Sequence, residues 1–409
     1  MENENTTVSH VLSNSGLQAW LQVAGSFFLF FNSWGIINTF GVFQTYYELT
    51  FGHTLSPSSI SWIGSIQSFL LMFLGIIAGP LYDAGHFYML IVAGTFLVVF
   101  GFMMTSLCSE YWQIMLAQAL CIGIGTGCFN VPSIAILSQY FSTRRGLAIG
   151  LAASGSSFGG VVYPVLFRHF QPKIGFGWTT RILAVISLAT CLFSLSVMRI
   201  RPAVRPRRPL VELAAFREIP YTLFCVAMFF GNIGFFGPLF YVQTYAIQTK
   251  IASENLSFYL LPLVNAASVP GRIVPGFLAG IVGPLNLLLS AATLTGVVAL
   301  SWIGIHNTAG IVLFSLSYGF CTGGLVSLPA TTLSSLTPDL TRLGTWIGMY
   351  SMICSIASLV GAPLSGALLG ESQSYLGLQL FSGATMFLTG VLLLATRISK
   401  EGPKMRVKI

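Results

Sequence analysis

The chain has 409 residues, of which 54% are hydrophobic and 7% charged. A soluble protein of this size carries roughly a quarter of its residues as charges on its surface, so a water-soluble globule is excluded and a bilayer is the solvent that fits. The net charge of +8 is spread between apolar runs rather than gathered into a patch, which argues against a nucleic-acid partner and for a role in membrane topology.

In chain order, the segment Met1 to His10 holds two glutamates and no lysine or arginine, unlike the basic start of a cleaved signal peptide. A span needs roughly twenty apolar helical residues, and twelve such stretches are predicted. They cover approximately 19–46, 58–80, 86–107, 111–140, 146–169, 179–199, 219–245, 256–279, 285–305, 309–335, 346–368 and 376–397. The run 199–218, RIRPAVRPRRPLVELAAFRE, is the one long polar linker, and its prolines make its first half a poor helix. The expected organisation is therefore a tail at 1–18, a six-helix half at 19–199, a linker at 200–218, a second half at 219–397 and a tail at 398–409.

Of the nineteen basic residues, fourteen fall on the side of the two termini: Arg144, Arg145, Arg199, Arg201, Arg205, Arg207, Arg208, Arg217, Arg342, Arg397, Lys400, Lys404, Arg406 and Lys408. Arg168, Lys173, Arg181 and Lys250 fall on the other side, and Arg272 lies within a helix. The bias predicts that both termini are cytoplasmic. A multi-pass protein of the plasma membrane is expected, with the vacuole as the alternative.

The two halves repeat. Gly79-Pro-Leu81 answers Gly276-Phe-Leu278, and Pro132 answers Pro329. Arg144-Arg-Gly146-Leu-Ala-Ile-Gly150 answers Arg342-Leu-Gly344-Thr-Trp-Ile-Gly348. Nearly constant offsets between halves of equal helix number and orientation mean two parallel six-helix repeats, an all-α membrane architecture shared by major facilitator carriers.

Several stretches resemble the major facilitator superfamily, and within it the monocarboxylate-transporter-like porters of fungal type. They are Trp34-Gly-Ile-Ile-Asn38-Thr-Phe-Gly41, Ser56-Pro-Ser-Ser-Ile-Ser-Trp62, Asn130-Val-Pro132, Tyr140 through Gly159, and Asn265-Ala-Ala-Ser268-Val-Pro-Gly271-Arg272. The resemblance implies a secondary transporter of a small organic anion, a monocarboxylate or carboxylated metabolite. The alternatives are export of an apolar fungal metabolite and, less favoured, a nutrient sensor on the same fold. Where the animal carriers have a lysine in the first helix this chain has Asn38, and where they have an aspartate before the arginine it has Ser268. Both departures argue against proton–lactate symport, although a co-transported proton stays among the expected partners beside the solute and the lipid.

Arg272 is the sharpest candidate. A cation inside a span costs on the order of 3 kcal/mol on insertion scales and needs a partner or a water-filled cavity. It could anchor a carboxylate through its fork of donors, or snorkel to the surface. Asn38, Asn130, Asn265 and Tyr241 are the further binding candidates, and Gln118 and Asn232 are more amides needing partners in hydrocarbon. Asp83 facing Arg144 and Arg145, with Asp339 and Arg342 as the second-half counterpart, is the expected gate. Asn255-Leu-Ser257 is a sequon on the outer side. The seven cysteines form no C-x-x-C pair, and the Gly123-Ile-Gly125-Thr-Gly127 run lacks the strand and lysine of a phosphate loop. No metal, cofactor or enzymatic activity is expected, and the energy source is a gradient rather than ATP.

Overall fold

A computed structural model of the chain describes residues 16–51, 55–141, 145–200, 212–337, 343–369 and 374–402. Among the described residues there is no strand. Ten helical stretches are long and apolar enough to cross a membrane. One of these, Leu147–Val197, is two helices joined at Gly175, and Glu254–Val282 is a further long helix. In chain order they are α1 (Leu17–Phe51), α2 (Pro57–Tyr82), α3 (Phe87–Thr105), α4 (Tyr111–Ala135), α5 (145–174), α6 (176–197), α7 (Ile219–Gln248), α8 (Glu254–Val282), α9 (Pro284–Gly304), α10 (Thr308–Leu336), α11 (Leu343–Leu369) and α12 (Leu376–Glu401).

Two boundaries differ from the reading of the sequence. The connection expected over 170–178 shrinks to Gly175, whose φ of 78° is open to glycine and strained for other residues. The first helix continues past 46 to Phe51, which draws Glu48 into its last turn. The linker 201–211 and the residues 403–409 lie outside the described residues. A 3-10 turn, Leu213–Arg217, leads into α7.

The helix starts are locally encoded. Ser56 accepts from the Ser59 amide at 3.1 Å, Ser253 from Leu256 at 3.3 Å, and Asn307 from Gly310 at 2.7 Å. Glu110 and Gln113 form a capping box at the start of α4. Each cap supplies an oxygen to an orphan helix amide, an effect of about 1 kcal/mol.

Helices α1–α6 pack into one half and α7–α12 into the other. The halves meet chiefly along three pairs, α1 with α7, α2 with α11, and α5 with α8. Thr45 near the end of α1 meets Thr244 near the end of α7, so these two helices run in parallel and start at one face. That face also carries the described chain ends, and we call it the tail face.

The seam between the halves is sealed at the face opposite the tail face and parted at the tail face. Toward the sealed face a Cβ on Gly41 of α1 would lie 2.6 Å from the Leu239 carbonyl of α7, and one on Gly366 of α11 would lie 2.8 Å from the Ser58 backbone of α2. At the tail-face ends of α2, α5, α8 and α11, Gly79, Gly150, Gly276, Gly280 and Gly348 have nothing within 4 Å of such a Cβ. In α8, Ile273, Val274, Phe277 and Ile281 form one exposed stripe, and Gly276 and Gly280, exposed beside it, widen the open surface toward the seam. The described bundle is a cleft with its mouth at the tail face.

Candidate functional site

The cleft closes at Arg272. Gly271 brings α8 against the Phe320 backbone of α10, where a side chain would have no room. This close approach turns the next residue toward the opposite half. Arg272 is 5% exposed. Its Nη1 donates across the seam to the Ala153 carbonyl of α5 at 3.1 Å and to Ser156 Oγ, while its Nε has no acceptor. Among the described residues no carboxylate pairs with it. A buried cation answered only by neutral oxygens is an unfavourable arrangement unless an anion visits. The snorkelling alternative is not what the structure shows, because the side chain reaches across to α5 rather than out to water.

Beside Arg272 lies a narrow space of about 10 Å³, room for a single water. Phe235 and Leu239 of α7, Val264 of α8 and Val326 of α10 give it an apolar wall. Asn38 of α1, with Asn265 and Ser268 of α8, gives it a polar side. Asn265 donates to the Leu261 carbonyl at 3.1 Å, and Ser268 meets Ser157 across the seam at 2.6 Å. The Asn38 amide has no hydrogen-bond partner among the described residues. The arrangement offers a cation and a free amide beside an apolar surface, which suits a small organic molecule with one acidic end.

The other candidates lie elsewhere. Asn130 accepts from Trp34 Nε1 at 3.3 Å within the first half and does not line the space. Tyr241 is fully buried and donates to the Pro57 carbonyl at 3.2 Å, across the seam near the sealed face. Gln118 accepts from Tyr47, and Asn232 bonds its own helix at Met228, so both serve packing. Of the expected gate, Asp83 is the last residue of its helical segment and Arg145 the first residue of α5. Arg144, Asp339 and Arg342 lie outside the described residues. Asn255 is in the first turn of α8, and its Oδ1 accepts from Arg168 Nη2 at 2.7 Å.

Two charged contacts at the sealed face were not picked out from the sequence. Glu48 Oε2 accepts from Thr244 of α7 at 2.9 Å and its Oε1 from Gln44 at 2.5 Å. Arg168 of α5, besides its bond to Asn255, places its guanidinium 4.1 Å over the Phe258 ring of α8. The available signal was the i, i+4 spacing of Gln44 and Glu48, which has meaning only if the first helix extends through both. No group of three or more His, Cys, Asp or Glu side chains that could hold a metal occurs among the described residues.

The sequence matches the Major Facilitator Superfamily over residues 23–341. It is 42% identical over 382 residues to an MFS-type transporter, dbaD, of Emericella nidulans, covering 93% of this chain and 86% of that one. It is 37% identical over 403 residues to the aspyridones efflux protein apdF of the same organism, covering 97% and 82%. It is 39% identical over 385 residues to the agnestins efflux protein AgnL12 of Paecilomyces divaricatus, covering 93% and 88%. In structure it is similar to the nucleoside transporter NupG, with a TM-score of 0.71 at 12% identity, over 93% of this chain and 99% of that one. That last likeness concerns the fold. Two of these relatives are named as efflux proteins, of aspyridones and of agnestins, and none of the three is named as a monocarboxylate porter.

Proposed function

We infer the function of this chain from one premise: it belongs to the Major Facilitator Superfamily. It is a membrane transporter of small molecules. We propose that its cargo is an organic metabolite bearing an acidic oxygen and that it exports this cargo. The observation that carries the acidic group is Arg272, a buried cation with an unpartnered Nε and no carboxylate beside it. Export is supported by the relatives named as efflux proteins. It is also supported by the bias of basic residues toward the tail face, which makes that face cytoplasmic. The mouth of the cleft is then open to the compartment from which an exporter loads.

The apolar wall of Phe235, Leu239, Val264 and Val326 favours a body more apolar than a short monocarboxylate. The cargo's acidic oxygen would take the fork of Arg272 in place of Ala153 and Ser156. Releasing those two bonds removes a link between α5 and α8, and rocking of the halves follows.

The test uses purified protein in liposomes and matched pairs of aromatic carboxylic acids and their methyl esters. Saturable transport of acids but not esters is expected. Arg272→Ala should reduce it by on the order of a hundredfold, from loss of a charged hydrogen-bonded anchor. Arg272→Lys, which keeps the charge but loses the fork, should recover only part. Equal transport of acids and esters, or full activity in Arg272→Ala, would overturn the acidic-cargo reading.

A further inference from the structure

The sealed face is joined in three places, and they are not alike. At α2 the bonds are neutral and end on backbone oxygens: Ser58 Oγ donates to the Pro363 carbonyl of α11 at 3.0 Å, and Tyr241 of α7 donates to the Pro57 carbonyl. Between α5 and α8 the joint is Arg168 on Asn255 and Phe258. Between α1 and α7 it is Glu48 on Thr244, with Thr45 3.1 Å from the same hydroxyl. Both charged side chains belong to the first half, and both end on neutral groups of the second.

This pattern suits a joint that opens in every cycle. Parting a buried ion pair across the seam would give up the whole attraction between two opposite charges, whereas a charge held by neutral groups gives up only its hydrogen bonds. Here opening releases Thr244, Asn255 and a phenyl ring, and water can solvate the two charged groups that stay behind. Glu48 already borders a space of about 50 Å³ lined also by Leu49, Ile247 and Gln248, so hydration can begin at the carboxyl. Lys250, in the turn just beyond α7, forms no ion pair with Glu48 among the described residues, and the Tyr375 hydroxyl at the start of α12 is engaged with Gln248 Oε1 at 2.6 Å.

We propose that Arg168 with Asn255 and Phe258, and Glu48 with Thr244, are two positioning latches that hold the face opposite the chain termini shut. Their release admits the rocked state. The proposal rests on the transporter reading for the need to open. It does not depend on what the cargo is, so latch and cargo are tested separately.

The experiment reads opening directly. The seven cysteines are replaced, Val264→Cys is placed on the wall of the central space, and intact cells are treated with a membrane-impermeant maleimide. With the face shut the reagent does not reach this position. Arg168→Ala and Glu48→Ala should each raise the labelling rate on the order of tenfold, the size expected for losing a hydrogen bond to a charged group. Arg168→Lys, which retains a cation over Phe258, and Glu48→Gln, which retains an acceptor for Thr244, should return it most of the way. Asn255→Ala and Thr244→Val test the same latches from the other half and keep both charges, should either alanine variant fail to fold. Labelling that stays at the wild-type rate in folded Arg168→Ala and Glu48→Ala, or in folded Asn255→Ala and Thr244→Val, would overturn the latches. That result with acid transport intact would leave the cargo reading standing. Raised labelling together with equal transport of acids and esters would do the reverse.

Discussion

Among single residues, Arg272 sets the character of the site. Burying its charge in the span costs on the order of 3 kcal/mol, and the bonds to Ala153 and Ser156 offset part of that. Those bonds compete with any anionic cargo for the same donors. Ser156→Ala removes one competitor, so the apparent affinity for acids should rise, with KM falling up to about tenfold and kcat little changed. A KM series on the purified variant checks this. A rise in KM instead would mean that Ser156 contacts the cargo itself. Asn38 and Asn130 show why an amide in a span is ambiguous by itself. Both must find partners in hydrocarbon, yet Asn130 has one in Trp34 while Asn38 is left facing the central space.

For the helices, glycines decide how close the halves can come. Without a strong hydrophobic drive between helices in lipid, association rests on close packing at small residues. Gly366 lies against the Ser58 backbone, and backbone cannot step aside as a flexible side chain can. Gly366→Val should therefore keep the sealed face ajar, with high maleimide labelling of Val264→Cys and loss of transport. Gly348→Val, at the tail-face end of the same helix, meets open space and should leave that face sealed. Equal labelling in the two variants would show that Gly366 does not set the closure. The prolines of α8, at 262, 270 and 275, leave helix carbonyls without donors and make this helix more polar than its neighbours where it borders the cleft.

Across the whole molecule, the proposed anchor at Arg272 would link cargo binding to gate opening, and such a linkage is reciprocal. Cargo that takes Arg272 from α5 removes one tie between the halves, so it should shift the population toward the state with the opposite face open. Fluorophores on Glu110→Cys and Glu254→Cys, both exposed at that face and one on each half, should move apart when an acid that is transported is added. The Arg272→Ala protein should show no such change. Separation on adding the methyl ester as well would break the link between Arg272 and rocking.

What the sequence determined by itself follows from the bilayer as solvent. Twelve apolar stretches, the polar linker near the midpoint, the repeated Gly79 and Gly276 segments and the lone arginine of α8 are all visible because each is a local departure from, or agreement with, what hydrocarbon tolerates. That Arg272, Asn38, Asn130, Asn265 and Tyr241 each needed a partner or water was legible on the same ground, but only Arg272, Asn38 and Asn265 border one space. The tertiary structure decided the pairings. Arg168 finds Asn255 and Phe258 about ninety residues away, and Glu48 finds Thr244 about two hundred away. No periodicity encodes such partners, because they depend on how the two halves dock. The one-residue turn at Gly175 and the extension of α1 to Phe51 belong to the same class. Helix ends are set by what the last turn packs against, and for Glu48 that is a hydroxyl on the other half of the molecule.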